Sequence, residues 1–233
     1  MAELEVIKHS KKMYRAWNSG HGAFLHKLQD FAIEVIIIVF AVGLTIWFHE
    51  LAEHRHEATI EKKFLLGIQT DLVKDLQEMT EDSSLVSEQY QLMQVCKNLA
   101  NNSAVSTDSI VRLMNSRSAL LYRMILFRPN AGRYEGFKSA GQLRLIEHDL
   151  LAESIIDLYE ENIPALVYLE QMYIDFKMAN FDTYNLGKEN MVAERTYLRN
   201  YFSYTAESSF NIMQEYHQVM MQTRQVVKLL KVK

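Results

Sequence analysis

Cysteine occurs once in the 233 residues, at Cys96, and proline twice, at Pro129 and Pro164. A single thiol excludes an intramolecular disulfide and cannot by itself build a structural zinc site. So little proline, with only 8 glycines, leaves few points where the chain turns sharply, which argues against many short strands and for long helices. Excess positive charge is missing too: 25 Lys and Arg stand against 29 Asp and Glu, a formal net charge of -4. A surface that coats nucleic acid is therefore not expected. The sequence also lacks a Gly-rich phosphate loop, paired cysteines and a nucleophile-elbow motif. On these grounds the chain is expected to be non-enzymatic, with no cofactor and no metal, and all-α in fold class.

What is present is one long apolar run. From Phe31 to Phe48 the residues are apolar except Glu34, Gly43 and Thr45, and at about 1.5 Å per residue the run suits the hydrocarbon core of a membrane. Trp47 stands at its far end, where an indole favours the interface. About thirty residues precede it and no Ala-x-Ala-like site follows, so an uncleaved signal-anchor is expected in place of a removed signal peptide. Lys8, Lys11, Lys12, Arg15 and Lys27 precede the run, while Arg55, Lys62 and Lys63 follow it among four glutamates. That asymmetry predicts a cytoplasmic N-terminus and, in a bacterium, a periplasmic remainder anchored to the inner membrane. The organisation expected is a cytoplasmic segment over 1–30, a span over 31–48 and a helical domain over 49–233.

The span has a polar side. Stepping at about 100° per residue puts Glu34, Ile38, Ala41, Thr45 and His49 in one narrow arc. Two readings follow: the arc lines a seam between copies, with Glu34 carboxylates near one another, or Glu34 reaches the headgroups from one turn inside the boundary. Beyond the span, His49-Glu50-Leu51-Ala52-Glu53-His54-Arg55-His56 superficially resembles a metalloprotease helix. There, however, the two histidines stand four apart so that both face one zinc ion. His49 and His54 stand five apart, which fails that geometry. His49, Glu53 and His56 do share a face, but a solvated juxtamembrane helix is the expected arrangement.

Leu65, Ile68, Leu72, Leu76, Met79, Val86, Tyr90 and Met93 recur at three-four spacing with Asp71, Lys74, Asp75 and Glu78 between them, predicting an amphipathic bundle helix continuous with the span. Ser106-Thr107-Asp108 is expected to cap a second helix running through Ile110, Leu113, Met114, Leu121 and Ile125 and ending at Arg128-Pro129-Asn130. His148 or Asp149 opens a third, bent near Pro164. After a break around Asn185-Leu186-Gly187, a last helix carries Val192, Leu198, Phe202, Phe210, Met213 and Met220, closing with Arg224, Lys228, Lys231 and Lys233. The expected product is a bundle of about four long helices.

Two stretches carry a family resemblance. One is Ile33-Glu34-Val35 through Gly43, then Phe64-Leu65-Leu66-Gly67-Ile68 and Asp71 to Leu76. The other is Tyr134-Glu135-Gly136-Phe137-Lys138-Ser139-Ala140-Gly141-Gln142-Leu143-Arg144-Leu145-Ile146, leading into Leu150 and Ile155 to Tyr159. Over about a third of the chain, these resemble a single-pass membrane protein family of Bacteroidota whose domain has no assigned function. The sequence departs from the family pattern at Ala140 and His148, which weakens any shared role for those side chains. The resemblance implies a bacterial envelope protein and supplies no activity or substrate. In the second stretch Arg128, Arg133, Lys138 and Arg144 surround Tyr134 and Phe137. They form a candidate recognition patch for an anion or lipid headgroup, set against a packed turn with Tyr134 and Phe137 in the core and Gly141 closing a short helix.

The function expected first is a membrane-anchored assembly or partner-binding subunit, homo-oligomeric, in contact with the bilayer. Alternatives are an oligomeric ion or proton conduit using Glu34, and an envelope ligand sensor. A small-molecule ligand is not specified by any motif.

Overall fold

The computed structural model describes the backbone of residues 21–186 and 195–231, and the side chains of residues 28–180 and 195–231. The basic residues before His21, the side chain of Lys27, the break at Gly187, Val192 and Lys233 lie outside these. Every described residue in regular structure is helical. The chain divides into two compact units, Met1–Thr59 and Ile60–Lys233. Helix α1, His21–Asn101, contributes to both.

Within the first unit every described side chain from Leu28 to Glu50 is exposed. Ile36, Ile37, Ile38, Val39 and Phe40 are consecutive, each exposed by 58% or more, and at about 100° per residue five in a row cover the whole circumference. A core helix would bury one stripe of these. Here water would meet large aliphatic groups on all sides, at about 25 cal/mol per Å² of apolar surface. This is the single helix among the described residues that is long and apolar enough to cross a membrane.

In the second unit α1 buries Phe64, Ile68, Leu72, Asp75, Met79, Val86, Met93, Cys96 and Ala100, a three-four rhythm that holds one face inward over about ten turns. Leu76 and Tyr90, expected in this stripe, are half-buried, and Asp75 occupies a core position instead. Helix α2, Thr107–Ser116, is capped by Ser106, whose hydroxyl accepts from the Ser109 amide at 3.3 Å. It breaks at Arg117, and α3 is a single turn, Ser118–Leu121.

The expected continuation through Ile125 is not helical: residues 123–130 run without regular structure. In this strap Ile125 and Phe127 are buried while Met124 and Arg128 are exposed. That alternation is the period of extended chain and not of a helix. The expected second long helix is accordingly ten residues and a turn. Helix α4, Gly132–Ser139, is followed by Gly141 at φ 67°, a left-handed conformation that glycine adopts without Cβ strain. A 3-10 turn, Gln142–Leu145, comes next. Helix α5, Asp149–Asp157, is capped by His148, whose Nδ1 accepts from the Leu151 amide at 3.2 Å. A π turn, Leu158–Asn162, links it to α6, Ile163–Leu186. Pro164 explains that wide turn, because its ring crowds the preceding turn and it offers no N–H. Asn162 Nδ2 donates 3.0 Å to the Asp157 carbonyl there. Helix α7, Arg195–Lys231, packs along α6 and meets α5. Phe210, expected inward, is 41% exposed and tilts against Tyr90.

Two clusters make the core. The larger joins Ile68, Leu72, Phe127, Tyr134, Ile155 and Tyr216. The smaller joins Met93, Cys96, Met114, Leu121, Leu198 and Phe202. Beside the smaller cluster, Arg195 closes the end of α1. Its guanidinium donates to the carbonyls of Ala100 at 2.9 Å, Leu99 at 3.0 Å, Val105 at 2.7 Å and Asn102. These carbonyls have no helical N–H ahead of them, and a cation at this pole also complements the dipole.

Candidate functional site

The residues singled out in the span share α1 as expected. Glu34, Ala41, Thr45 and His49 are all exposed, and the Thr45 hydroxyl donates 2.8 Å to the Ala41 carbonyl. That bond satisfies a donor which would otherwise be costly in hydrocarbon. His49, Glu53 and His56 are exposed too, and no cluster of three or more His, Cys, Asp or Glu among the described residues is placed to hold a metal ion.

The basic patch of the second stretch is committed to carboxylates. Arg133 Nε donates 3.0 Å to Asp71 Oδ2, and Lys138 Nζ donates 2.5 Å to Glu160 Oε1. Tyr134 is 1% exposed; its hydroxyl reaches the same Glu160 oxygen at 2.7 Å and its ring stacks on Tyr159 at 4.6 Å. Lys138 and Tyr134 together hold Glu160 below the usual carboxylate range, and Glu160 raises Lys138 in turn. Arg128 and Arg144 are exposed. Two of the patch's four cations are thus engaged in ion pairs with neighbouring elements.

The Arg133 pair belongs to a seam between α1 and residues 128–137. Phe64 stacks on Phe137 with centroids 3.7 Å apart, Asp71 meets Arg133, Asp75 meets Asn130, and Glu78 accepts from the Arg128 amide at 3.2 Å. Partner numbers fall as α1 numbers rise, so the contacts are antiparallel rungs. Gly67 lies under the Arg133 rung, where a Cβ would stand 2.3 Å from Arg133 Nε. Any larger residue collides with the arginine as it passes to Asp71.

The chain matches no family model, no curated protein and no solved structure.

A more unusual arrangement holds the strap. Extended backbone in a helical protein has no ladder to satisfy it, so its polar groups need other partners. Buried side chains supply them. Glu170, on α6 and 1% exposed, accepts the Phe127 amide at 2.8 Å on Oε2 and the Tyr216 hydroxyl on Oε1. Asp75 accepts the Asn130 amide at 3.1 Å and its side-chain amide at 2.6 Å. Gln89 donates to the carbonyls of Leu120 and Arg123 at 2.8 and 2.7 Å, and Lys177 Nζ donates 2.5 Å to the Arg123 carbonyl. Burial pushes Glu170 up to about 7; the hydrogen bonds from Tyr216 and the Phe127 amide only partly offset it, and Asp82 and Glu78 add a smaller repulsion. Burial likewise raises Asp75 and Asp82 and lowers Lys177 to about 8. The Lys177 ammonium also lies 4.6 Å from the centre of the Tyr173 ring. Two of the groups that grip the strap, Glu170 and Lys177, thus change charge close to neutral pH.

None of Glu170, Lys177, Gln89 and Arg195 was singled out from the sequence. The available signal was position: a charged residue falling in register with apolar neighbours, as Asp75 does between Leu72 and Met79, must be buried or break the stripe.

Proposed function

We propose that this protein is a membrane-anchored helical scaffold, a partner-binding subunit of the bacterial inner membrane. Its N-terminus lies in the cytoplasm, its bundle in the periplasm, and it acts as a homo-oligomer. The observation that carries this reading is the uninterrupted circle of exposed aliphatic side chains from Ile36 to Phe40, for which lipid is the matching solvent. Basic residues before the span support the orientation, and the resemblance to a Bacteroidota membrane family supports the compartment. The bundle suits a scaffold because its polar groups are spent on internal bonding: the strap is held by buried side chains and the basic patch is paired.

Within the membrane the small and polar arc of Glu34, Ala41, Thr45 and His49 is the face through which copies meet, since small residues let backbones approach and polar ones bond across helices. The same arc supports a second reading, an oligomeric conduit in which Glu34 carries protons or cations. Single cysteines test the seam cleanly, because native Cys96 is fully buried. Ala41→Cys and Thr45→Cys are expected to crosslink between copies in membranes, and Val39→Cys and Leu44→Cys are not. Equal crosslinking at all four positions refutes the seam, and a monomeric mass in mild detergent without a co-purifying partner refutes the scaffold.

A further inference from the structure

Between α6 and α7 lies a cleft of about 240 Å³ lined by Met172, Tyr173, Tyr204, Glu207, Ser208 and Asn211 over an apolar floor. Its volume falls below the ~300–1,000 Å³ of clefts that take whole small molecules, and leaves room for one long side chain. Its chemistry is one-sided. Glu207 is the acidic residue in the lining, no lysine, arginine or histidine lines it, and no basic side chain among the described residues pairs with Glu207. Tyr204 is 41% exposed and backed by Phe176, with ring centroids 4.0 Å apart, so an aromatic surface is held in place beside the carboxylate. Tyr173 is already engaged by the Lys177 ammonium, which leaves Tyr204 as the ring available to a second cation. Beside the cleft two apolar side chains reach solvent: Met172 is 45% exposed, and Tyr168, one turn earlier on α6, is 65% exposed. Aromatic residues and methionine are enriched where proteins meet, and a carboxylate beside a tyrosine face favours a cation with an aliphatic stem.

We infer that this cleft seats a single arginine or lysine side chain, carried on an apolar segment of a partner protein. The inference deepens the partner-binding reading and rests on it. Glu207 neutralises the incoming charge, Tyr204 and Met172 cover the methylene stem, and Ser208 and Asn211 offer hydrogen-bonding groups at the mouth.

The test is a titration of the full chain in detergent micelles, labelled with ¹³C at methionine methyl groups, using N-acetyl-argininamide as the probe. The Met172 resonance, assigned by its loss in Met172→Leu, is expected to shift saturably, while those of the buried Met79 and Met114 stay in place. Glu207→Gln, an exposed change that leaves the core intact, is expected to weaken binding by about fivefold or more, on the order of 1 kcal/mol for a partly exposed pair. The uncharged N-acetyl-citrullinamide is expected to leave Met172 unmoved. No shift in the wild type, an equal shift with citrulline or leucine amides, or undiminished binding in Glu207→Gln each overturns the proposal. A monomeric chain lacking any partner defeats the scaffold reading and leaves the titration outcome as it stands, so the two failures are distinguishable.

Discussion

Replacing Glu170 with glutamine keeps an oxygen for the Phe127 amide but turns an N–H toward Tyr216, whose hydroxyl donates to Glu170 in the wild type and must become the acceptor in the variant. The wild-type carboxyl is pushed from an ordinary value of 4.5 to about 7. Because its folded value lies above its unfolded one, the folded state binds more protons between those limits. The stability this contributes is fully present below pH 4.5, is lost as pH rises through the window, and levels off above about 7. At about 1.4 kcal/mol per pKa unit the loss approaches about 3 kcal/mol, an upper figure because water entry and relaxation soften buried charges. Glutamine does not titrate, but one of its two amide hydrogens lacks a partner at a cost of about 1 kcal/mol. The variant is therefore expected to be about 1 kcal/mol less stable than the wild type at pH 4.5 and about 1–2 kcal/mol more stable at pH 8. Urea unfolding followed by tyrosine near-ultraviolet circular dichroism reads the second unit, since Trp17 and Trp47 both lie in the first. Asp75 and Asp82 are also raised and tilt both curves, and because Asp82 repels Glu170 the difference between the curves reports Glu170 together with that coupling. Parallel curves from pH 4.5 to 8 would refute the reasoning.

Arg195→Met keeps the aliphatic stem and removes four donors from the end of α1. A loss of about 2 kcal/mol is expected in urea unfolding, with faster hydrogen exchange over the last turn of α1 and the loop to Ser106, whereas unchanged exchange there would show that the cap is dispensable. Gly67→Ala opposes two effects, a gain of up to about 1 kcal/mol in helix propensity and displacement of Arg133 from Asp71, a half-exposed pair worth up to about 1 kcal/mol. It is expected to be near neutral in the wild type and stabilising in an Arg133→Ala background; the same change in both backgrounds would dissociate the glycine from the rung.

Local chemistry was the part of this fold that could be read without coordinates. The apolar run, the Ser106 and His148 caps, the turn at Gly141 and the disturbance next to Pro164 each depend on neighbours within a few residues, and each stands where its residue types demand. Tyr134 and Phe137 are buried, as a packed turn requires. What escaped were pairings across long separations. Ile125-Leu126-Phe127 continues a helical pattern acceptably, and only Glu170, 43 positions from Phe127, and Asp75, 55 from Asn130, make the extended path affordable. Asp75 was misjudged for a related reason. Residue type argued for the surface while register argued for the core, and register prevailed once Asn130 supplied two donors. The pairing of Arg133 and Lys138 within the candidate patch escaped for the same cause, since Asp71 and Glu160 reach them from α1 and from the π turn.

The rungs between α1 and residues 128–137 have a mechanical consequence. A stacked ring pair, an arginine threaded over a glycine, an amide gripping a carboxylate and a backbone donor on Glu78 share no chemistry, so none can substitute for its neighbour. Sliding the contacts by a helical turn, about 5.4 Å, would bring Lys63 or Asp71 to the place where Gly67 leaves a path for Arg133. Load applied along α1 is therefore opposed first at that crossing, where the native register alone sets a glycine under the arginine.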